Sequence, residues 1–586
     1  MPKIAIIDRE KCLKEKCGYI CQKVCPGVLM GEETVTIDKD GYPIISEILC
    51  TGCGICPKKC PANCITIINL AQEVGTPIYQ YGVNMFRLYG LALPKDEGVV
   101  GFLGKNGIGK STALHILAGF ILPNFSNYQK SWTVDEVIKN LNPIEQNYFK
   151  ALKEKKIKIS LKPQNINKIK EVFSGTSLAL LEQLGEKEKI NSIVSLFGLQ
   201  DILQKNIKTL SGGELQLLAI AACVIKEADL YYFDEPASYL DIEQRLKIAK
   251  IIKDLSKTKK VIVVEHDLAL FDYLVDFVYI FFGQENAYGI VSKIKNARVG
   301  INQYLEGFLK EENIKFREYE IKFKKTAVEQ PRTQVLLSYP SFSKSLNSFT
   351  LKAQEGKIYQ GEVIGIIGKN ALGKTLFANI LAGKVLVDDN NLEEQKKLKI
   401  SYKPQYILPQ EHIKVFDYLV AEKVDGGFFE EVCTKLNINS IAEKNLDELS
   451  GGELQRVEIA KTLSKNADLY LLDEPAAFLD IEQRLNLASL IQRLISNSTK
   501  ACFVIDHDLV LIEAISNRII VFEGESSKFG IANSPQSKIS GFNKFLQNLQ
   551  ITLRRDKDSF RPKINKPDSR LDREQKEKGA YYFLED

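Results

Sequence analysis

Two Gly-rich loops carry the chemistry of this chain. Residues 104–111 read GKNGIGKS, and residues 368–375 read GKNALGKT. A loop of this kind entering a helix aims backbone N–H groups at phosphate oxygens, and the helix dipole adds to the attraction. The candidate nucleotide ligands are Asn106, Gly107, Gly109, Lys110, Ser111 and Thr112 in the first loop, and Asn370, Gly373, Lys374 and Thr375 in the second. Lys110 and Lys374 are expected on the β- and γ-phosphates, and Ser111 and Thr375 on Mg2+. Further along, Asp234 and Asp473 end apolar runs and are expected to hold the metal's surroundings. Glu235 and Glu474 are placed to polarise an attacking water. Gln164 and Gln405 are expected to sense the metal and the γ-phosphate, and His266 and His507 to hydrogen-bond that phosphate. The work is positioning and charge stabilisation.

A second chemistry precedes both loops. Cys50, Cys53, Cys56 and Cys60, followed by Pro61, have the spacing of a bacterial [4Fe–4S] run. Cys12, Cys17, Cys21 and Cys25, followed by Pro26, are a looser version. In two-cluster ferredoxins the fourth cysteine of a run serves the other cluster. That assigns Cys12, Cys17, Cys21 and Cys60 to one cluster and Cys50, Cys53, Cys56 and Cys25 to the other. Zinc is the alternative, disfavoured by this spacing. Cys64 reads as packing, and Cys223, Cys433 and Cys502, in apolar segments, read as core.

These residues need strands and helices to hold them, and the chain supplies them twice. Leu210–Gln216 (LSGGELQ) recurs at Leu449–Gln455, and the serine and the acidic pair stand equally far apart in both copies (211 to 234, 450 to 473). Lys-Pro-Gln recurs at 162–164 and 403–405. Apolar runs at 99–103 and 363–367 feed the Gly-rich loops, and those at 230–233 and 469–472 end in the acids, which predicts two α/β halves. The first half has extra chain before Gln164. Its stretch from Val134 to Lys156 has apolar residues at helical spacing among many charges and predicts an exposed helical arm.

At 586 residues the chain needs several domains. Its 45% hydrophobic and 26% charged content is that of a globular protein, and a net charge of +5 permits a nucleic-acid partner without demanding one. The basic stretch from Arg554 to Lys576 also holds acids and reads as a solvated tail. No apolar run approaches the ~20 residues of a membrane span, and the N-terminus lacks a signal-peptide pattern, so a cytoplasmic protein is expected. Nine of the 12 cysteines fall within Cys12–Cys64, which in a reducing compartment reads as metal ligation.

The LSGGE motif makes both halves resemble ATP-binding-cassette (ABC) ATPases. The resemblance implies two composite sites. Lys110, Gln164, Asp234, Glu235 and His266 would be closed by Ser450 and Gly452, and Lys374, Gln405, Asp473, Glu474 and His507 by Ser211 and Gly213. Asp241 and Asp480 would be the D-loop residues at the interface. Tyr81, Phe86 and Tyr339 are expected as platforms for adenine, with core packing as the competing expectation. Leu217, where Arg456 stands in the second copy, and Ala371 and Leu376 depart from the family pattern.

Cysteine domain and cassette pair together resemble the E subfamily of ABC proteins, the ribosome recycling factors. Arg298-x-Gly300-Ile301-Asn302 through Gly307 resembles its first hinge. Asn543–Leu546, Arg554–Asp556 and Arg561-Pro562-x-Ile564-Asn565-Lys566 resemble its second. The implied fold is α/β: two ABC-type nucleotide-binding domains preceded by a small α+β two-cluster ferredoxin-like domain and joined by hinges. The boundaries expected are 1–75, 76–292 (insertion about 130–157), 293–322, 323–540 and 541–586. The implied activity is ATP hydrolysis that splits ribosomes after termination or stalling, with an initiation role also implied. Cofactors would be ATP, Mg2+ and two [4Fe–4S] clusters. The partners would be the ribosome, chiefly its small subunit, and a class-1 release factor or its stalled-ribosome paralogue, with initiation factors. The chain would act as a monomer, its two halves forming an intramolecular dimer. An ATP-gated redox enzyme and a transporter or DNA-repair ATPase are the rival readings. Neither explains the cysteine domain together with both hinges.

Overall fold

The computed structural model describes residues 3–69, 75–323, 332–346, 348–388, 398–407, 411–421, 426–496 and 498–582. Positions 70–74, where the first join is expected, and 583–586 lie outside them.

Each half is built on a nine-stranded sheet with the same strand order. In the first, Val99–Leu103 lies between Lys260–Val264 and Phe277–Gln284, all parallel, and Leu230–Asp234 and Ile159–Lys162 follow outward. In the second, Glu362–Ile367 lies between Ala501–Ile505 and Arg518–Glu525, followed by Leu469–Asp473 and Ile400–Lys403. These central strands are buried on both faces, which is why they read as unbroken apolar runs. Glycine-rich loop, acidic pair and histidine all leave the carboxyl ends of neighbouring parallel strands, where open α/β sheets bind ligands.

The insertion is a helix pair, Val134–Asn140 and Pro143–Lys153, each started by a capping box. Its inner face is less exposed than the charge pattern predicts. Val137, Tyr148 and Phe149 are buried in the first half's core, and the Tyr148 hydroxyl donates to the Leu117 carbonyl (2.6 Å).

The N-terminal unit pairs Lys3–Ile7 with Ile65–Asn69 and Val35–Ile37 with Pro43–Ile45 around short helices. It is fastened to the first half. Asn84 Nδ2 donates to the carbonyls of Ala5 and Ile45 (both 3.0 Å), Arg87 pairs with Glu47 (2.7 Å), and Ile4 and Ile6 pack against Tyr89 and Ala287.

The C-terminal stretch is folded, correcting the expectation of a solvated tail. Leu553–Arg555 and Pro562–Ile564 form a hairpin, followed by the helix Arg570–Glu577. The hairpin reaches across to the first half, where Arg561, fully buried, lies 2.8 Å from Asp272 and bonds Asn302. In the other direction, Glu482 of the second half receives Tyr319, with Arg317 (3.5 Å) and Lys105 (3.2 Å) beside it.

Candidate active sites

Gly109 and Gly373 take left-handed backbone (φ 94° and 87°) at the starts of the helices Lys110–Leu117 and Lys374–Leu381. A Cβ at Gly109 would strike Phe86, and one at Gly373 would strike Phe349. Lys110 and Lys374 are buried at the loop mouths, each ammonium donating to two carbonyls of its own loop. Burial lowers both; acids around each, among them Asp480 near Lys110 and Asp241 near Lys374, partly offset it, leaving Lys374 at about 8. Ser111 Oγ donates to Asp234 (3.3 Å) and Thr375 Oγ1 to Asp473 (2.7 Å), so the structure brings together in each half the hydroxyl and carboxylate that the sequence pairs.

Gln164 Nε2 donates to Glu235 Oε1 (2.7 Å), and His266 Nε2 lies 3.5 Å from the same oxygen. Gln405 and His507 stand on Glu474 at 2.8 and 3.8 Å. The two centres differ in charge. Burial pushes Glu235 up, but the His266 hydrogen bond, Lys110 and Lys162 outweigh it and hold the carboxylate at about 2. Burial and the charge of Asp473 raise Glu474. Both ring nitrogens of buried His507 have no hydrogen-bond partner, and burial keeps the ring neutral. An orphaned, neutral imidazole at the loop mouth fits a phosphate that completes it.

The sites are shared. Asp480 Oδ2 accepts from the Asn106 backbone N–H (3.1 Å), and Asp241 Oδ2 from that of Asn370 (2.9 Å). Each aspartate also caps its own helix with its other oxygen. Ser211 and Ser450 cap the helices Gly212–Ile225 and Gly451–Ser464. A Cβ at Gly213 would meet the Tyr239 carbonyl (3.2 Å), and one at Gly452 that of Phe478 (2.9 Å). Those same carbonyls accept from Asn370 Nδ2 (3.5 Å) and Asn106 Nδ2 (3.3 Å). Each LSGGE turn is thus linked through one residue to the opposite phosphate loop.

The aromatic expectations need one correction. Tyr81 is 45% exposed and its hydroxyl bonds Thr112 (3.1 Å), beside Phe86. Tyr339 is 2% exposed, wedged against Phe342 and Phe377, and presents no face to a base. Phe349 takes the place that Phe86 has in the first half. The signal was the repeat itself: 86 precedes Gly109 almost as far as 349 precedes Gly373. Leu217 is a packing residue against the core. Its counterpart Arg456 ties the signature helix to the Leu436 carbonyl (2.8 Å).

The cysteines line two cavities. One is bounded by Cys12, Cys17, Cys21, Cys60 and Cys64, the other by Cys25, Cys50, Cys53 and Cys56. Burial and the neighbouring Cys17, Cys60 and Cys12 push Cys21 up to about 11. Burial, Cys50, Cys25 and Cys53 push Cys56 to about 12. Cys64 Sγ lies 3.4 Å from Cys60 Sγ; that bond draws Cys60 down to about 6 and, with burial, keeps Cys64 a thiol. Among the described residues, no three His, Cys, Asp or Glu converge closely enough for a single metal ion, and no helix is long and apolar enough to cross a membrane.

The ABC transporter family model matches residues 91–238 and 351–477. ABC transporter E family member 1 of Arabidopsis thaliana is 40% identical over all of this chain and 99% of its own length. The chain belongs to the E family of ABC proteins. Two solved structures extend this. A model of ribosome-bound archaeal Pelota and ABCE1 superimposes with a TM-score of 0.92 at 44% identity, covering 99% of both chains. An archaeal ribosome recycling factor, aABCE1, in complex with the ribosomal stalk protein aP1 gives 0.81 at 44% identity over 88% of this chain and all of its own. As an E-family member the chain is an ATPase that uses ATP and Mg2+.

Proposed function

We propose that this chain is an ATP-driven ribosome recycling factor of the cytoplasm, splitting ribosomes into subunits after termination or stalling and staying on the small subunit for initiation. The observation that carries the reading is the match over 99% of both chains to a protein bound to the ribosome with Pelota. A cassette pair alone would leave the cysteine unit and the hinges unmatched.

The geometry supports a clamp. ATP on Lys110, Ser111 and Gln164 is closed by Ser450 and Gly452, and ATP on Lys374, Thr375 and Gln405 by Ser211 and Gly213. Glu235 and Glu474 orient the attacking water while His266 and His507 hold the γ-phosphate. Driving a clamp from mostly open to mostly closed takes about 5.5 kcal/mol of differential binding, which two nucleotides, each bridging both halves, supply. The N-terminal unit rides on the first half through Asn84 and Glu47, so closure moves both together against the ribosome.

The two cysteine cavities support two [4Fe–4S] clusters, one on Cys12, Cys17, Cys21 and Cys60, the other on Cys25, Cys50, Cys53 and Cys56. Five cysteines around the first cavity, Cys64 among them, and four around the second suit clusters better than single zinc ions. When bound, such clusters would supply rigid thiolate cross-links and a one-electron redox centre. Domain boundaries near 75, 292, 322 and 540 complete the reading.

The test is a sucrose gradient of anaerobically reconstituted protein, ribosomes and a non-hydrolysable ATP analogue. Comigration with the small subunit, lost when ADP replaces the analogue, is expected. No comigration from protein with intact ATPase activity refutes it.

A further inference from the structure

Glu235 and Glu474 sit on left-handed backbone, at φ of 50° and 47°. A non-glycine residue is strained there and persists only where neighbours hold it. The same neighbours hold it in both halves. Lys162 Nζ donates to the carbonyls of Asp234 (2.8 Å) and Glu235 (3.0 Å), and Gln216 Nε2 donates to those of Glu235 (2.8 Å) and Pro236 (2.9 Å). Lys403 Nζ donates to Asp473 (2.8 Å) and Glu474 (3.4 Å), and Gln455 Nε2 to Glu474 (2.7 Å).

Lys162 and Lys403 are both 0% exposed. A buried ammonium is costly, and it survives here because it is hydrogen-bonded and lies among carboxylates. Each ends the outer parallel strand of its sheet, Ile159–Lys162 or Ile400–Lys403. Two residues further on, Gln164 and Gln405 grip the carboxylates of the same glutamates. One Lys-Pro-Gln turn therefore holds both the main chain and the side chain of one residue. Gln216 and Gln455 come from the helices that begin at Ser211 and Ser450.

We propose that Lys162 and Lys403, with Gln216 and Gln455, are positioning residues for hydrolysis. They hold the strained glutamate peptide so that its carboxylate faces the attacking water, and they tie that hold to the signature helix. This rests on the reading of Glu235 and Glu474 as the groups that polarise water.

The test compares three full-length double variants with the wild type: Lys162→Met with Lys403→Met, Gln216→Leu with Gln455→Leu, and Glu235→Gln with Glu474→Gln. ATPase kcat, equilibrium affinity for a fluorescent ATP analogue and melting temperature are measured on each. Displacing a catalytic group by a fraction of an ångström to an ångström costs about 10–100-fold. The lysine pair should lose kcat on that scale with affinity kept within about threefold; the glutamine pair should lose less. Wild-type kcat in the glutamine pair overturns the proposal even if the lysine pair fails to fold. So does a lysine pair with unchanged kcat, or one that loses affinity and kcat in proportion. Turnover retained by the glutamate pair means instead that the reading of Glu235 and Glu474 has failed.

Discussion

Arg561→Met should release the C-terminal hairpin from the first half. Arg561 Nε and Nη2 lie 3.2 and 2.8 Å from Asp272 Oδ2, and Nη1 donates to Ser559 (2.7 Å) and to Asn302. Arginine and aspartate are both essentially without solvent contact. Breaking a buried pair from one side costs about 3–5 kcal/mol, because the remaining charge is stranded. Lys563 still sits 2.8 Å from Asp272, which places the cost at the low end, about 3 kcal/mol. At about 1.4 kcal/mol per tenfold, the docking equilibrium moves by about 10²-fold. Amide exchange across Leu553–Arg555 and Pro562–Ile564 should accelerate on that scale. Adding Asp272→Asn removes the stranded charge and should recover part of the protection. Arg570→Met is the control, since that side chain is 82% exposed beside Glu574 and should change exchange hardly at all. Hairpin exchange within about threefold of wild type in Arg561→Met, or a double variant no better than the single, would sink the buried-pair argument.

Three further outcomes follow from the sites. With the first site disabled by Lys110→Ala, Phe349→Ala should weaken nucleotide binding by about 5–150-fold, the 1–3 kcal/mol of base stacking, while Tyr339→Leu, which removes the other ring, leaves affinity within about threefold; equal effects would restore Tyr339. Asp506 is raised from 3.8 to about 6, chiefly by burial and then by Asp508. Between those values the folded protein keeps a proton the unfolded chain has released, so this group's contribution to stability declines as pH rises through the window and stays low above it. Asp506→Asn should flatten that component in urea unfolding at pH values from about 4 to about 6; identical pH profiles would dismiss it. Cys17→Ala should roughly halve the iron bound after reconstitution, the other cavity keeping its cluster; loss of all iron, or none, contradicts the two-cavity assignment.

Much of the nucleotide chemistry was legible because it is local. A Gly-rich loop, an acidic strand end and a histidine after a strand are each a few residues long, and the repeat shows each of them twice. The cysteine runs were legible for the same reason. Tyr339 was misjudged because an aromatic in an apolar strand looks alike whether it faces a core or a cleft; only the register of Phe349 beside Gly373 separates them. The insertion's charges suggested exposure, yet Tyr148 and Phe149 bury one face, which a charge count does not reveal. Arg561 with Asp272, or Glu482 with Tyr319, could not have been foreseen. Their members stand far apart in the chain, and no periodicity marks a partner on another domain.

Asp241 and Asp480 have a consequence for which halves can pair. Asn106 meets Asp480 as Asn370 meets Asp241, so this contact of the nucleotide interface is the same bond made twice. A half set against a copy of itself could make it equally well. What tells the halves apart lies in the hinges, where Arg561 finds Asp272 only across the joint and Glu482 finds Arg317 and Tyr319 only from the other side. Tethering both halves in one chain also keeps the correct partner at high local concentration. Partner choice is thereby removed from the ATP-binding surface, which is free to open and close without risk of exchanging its mate.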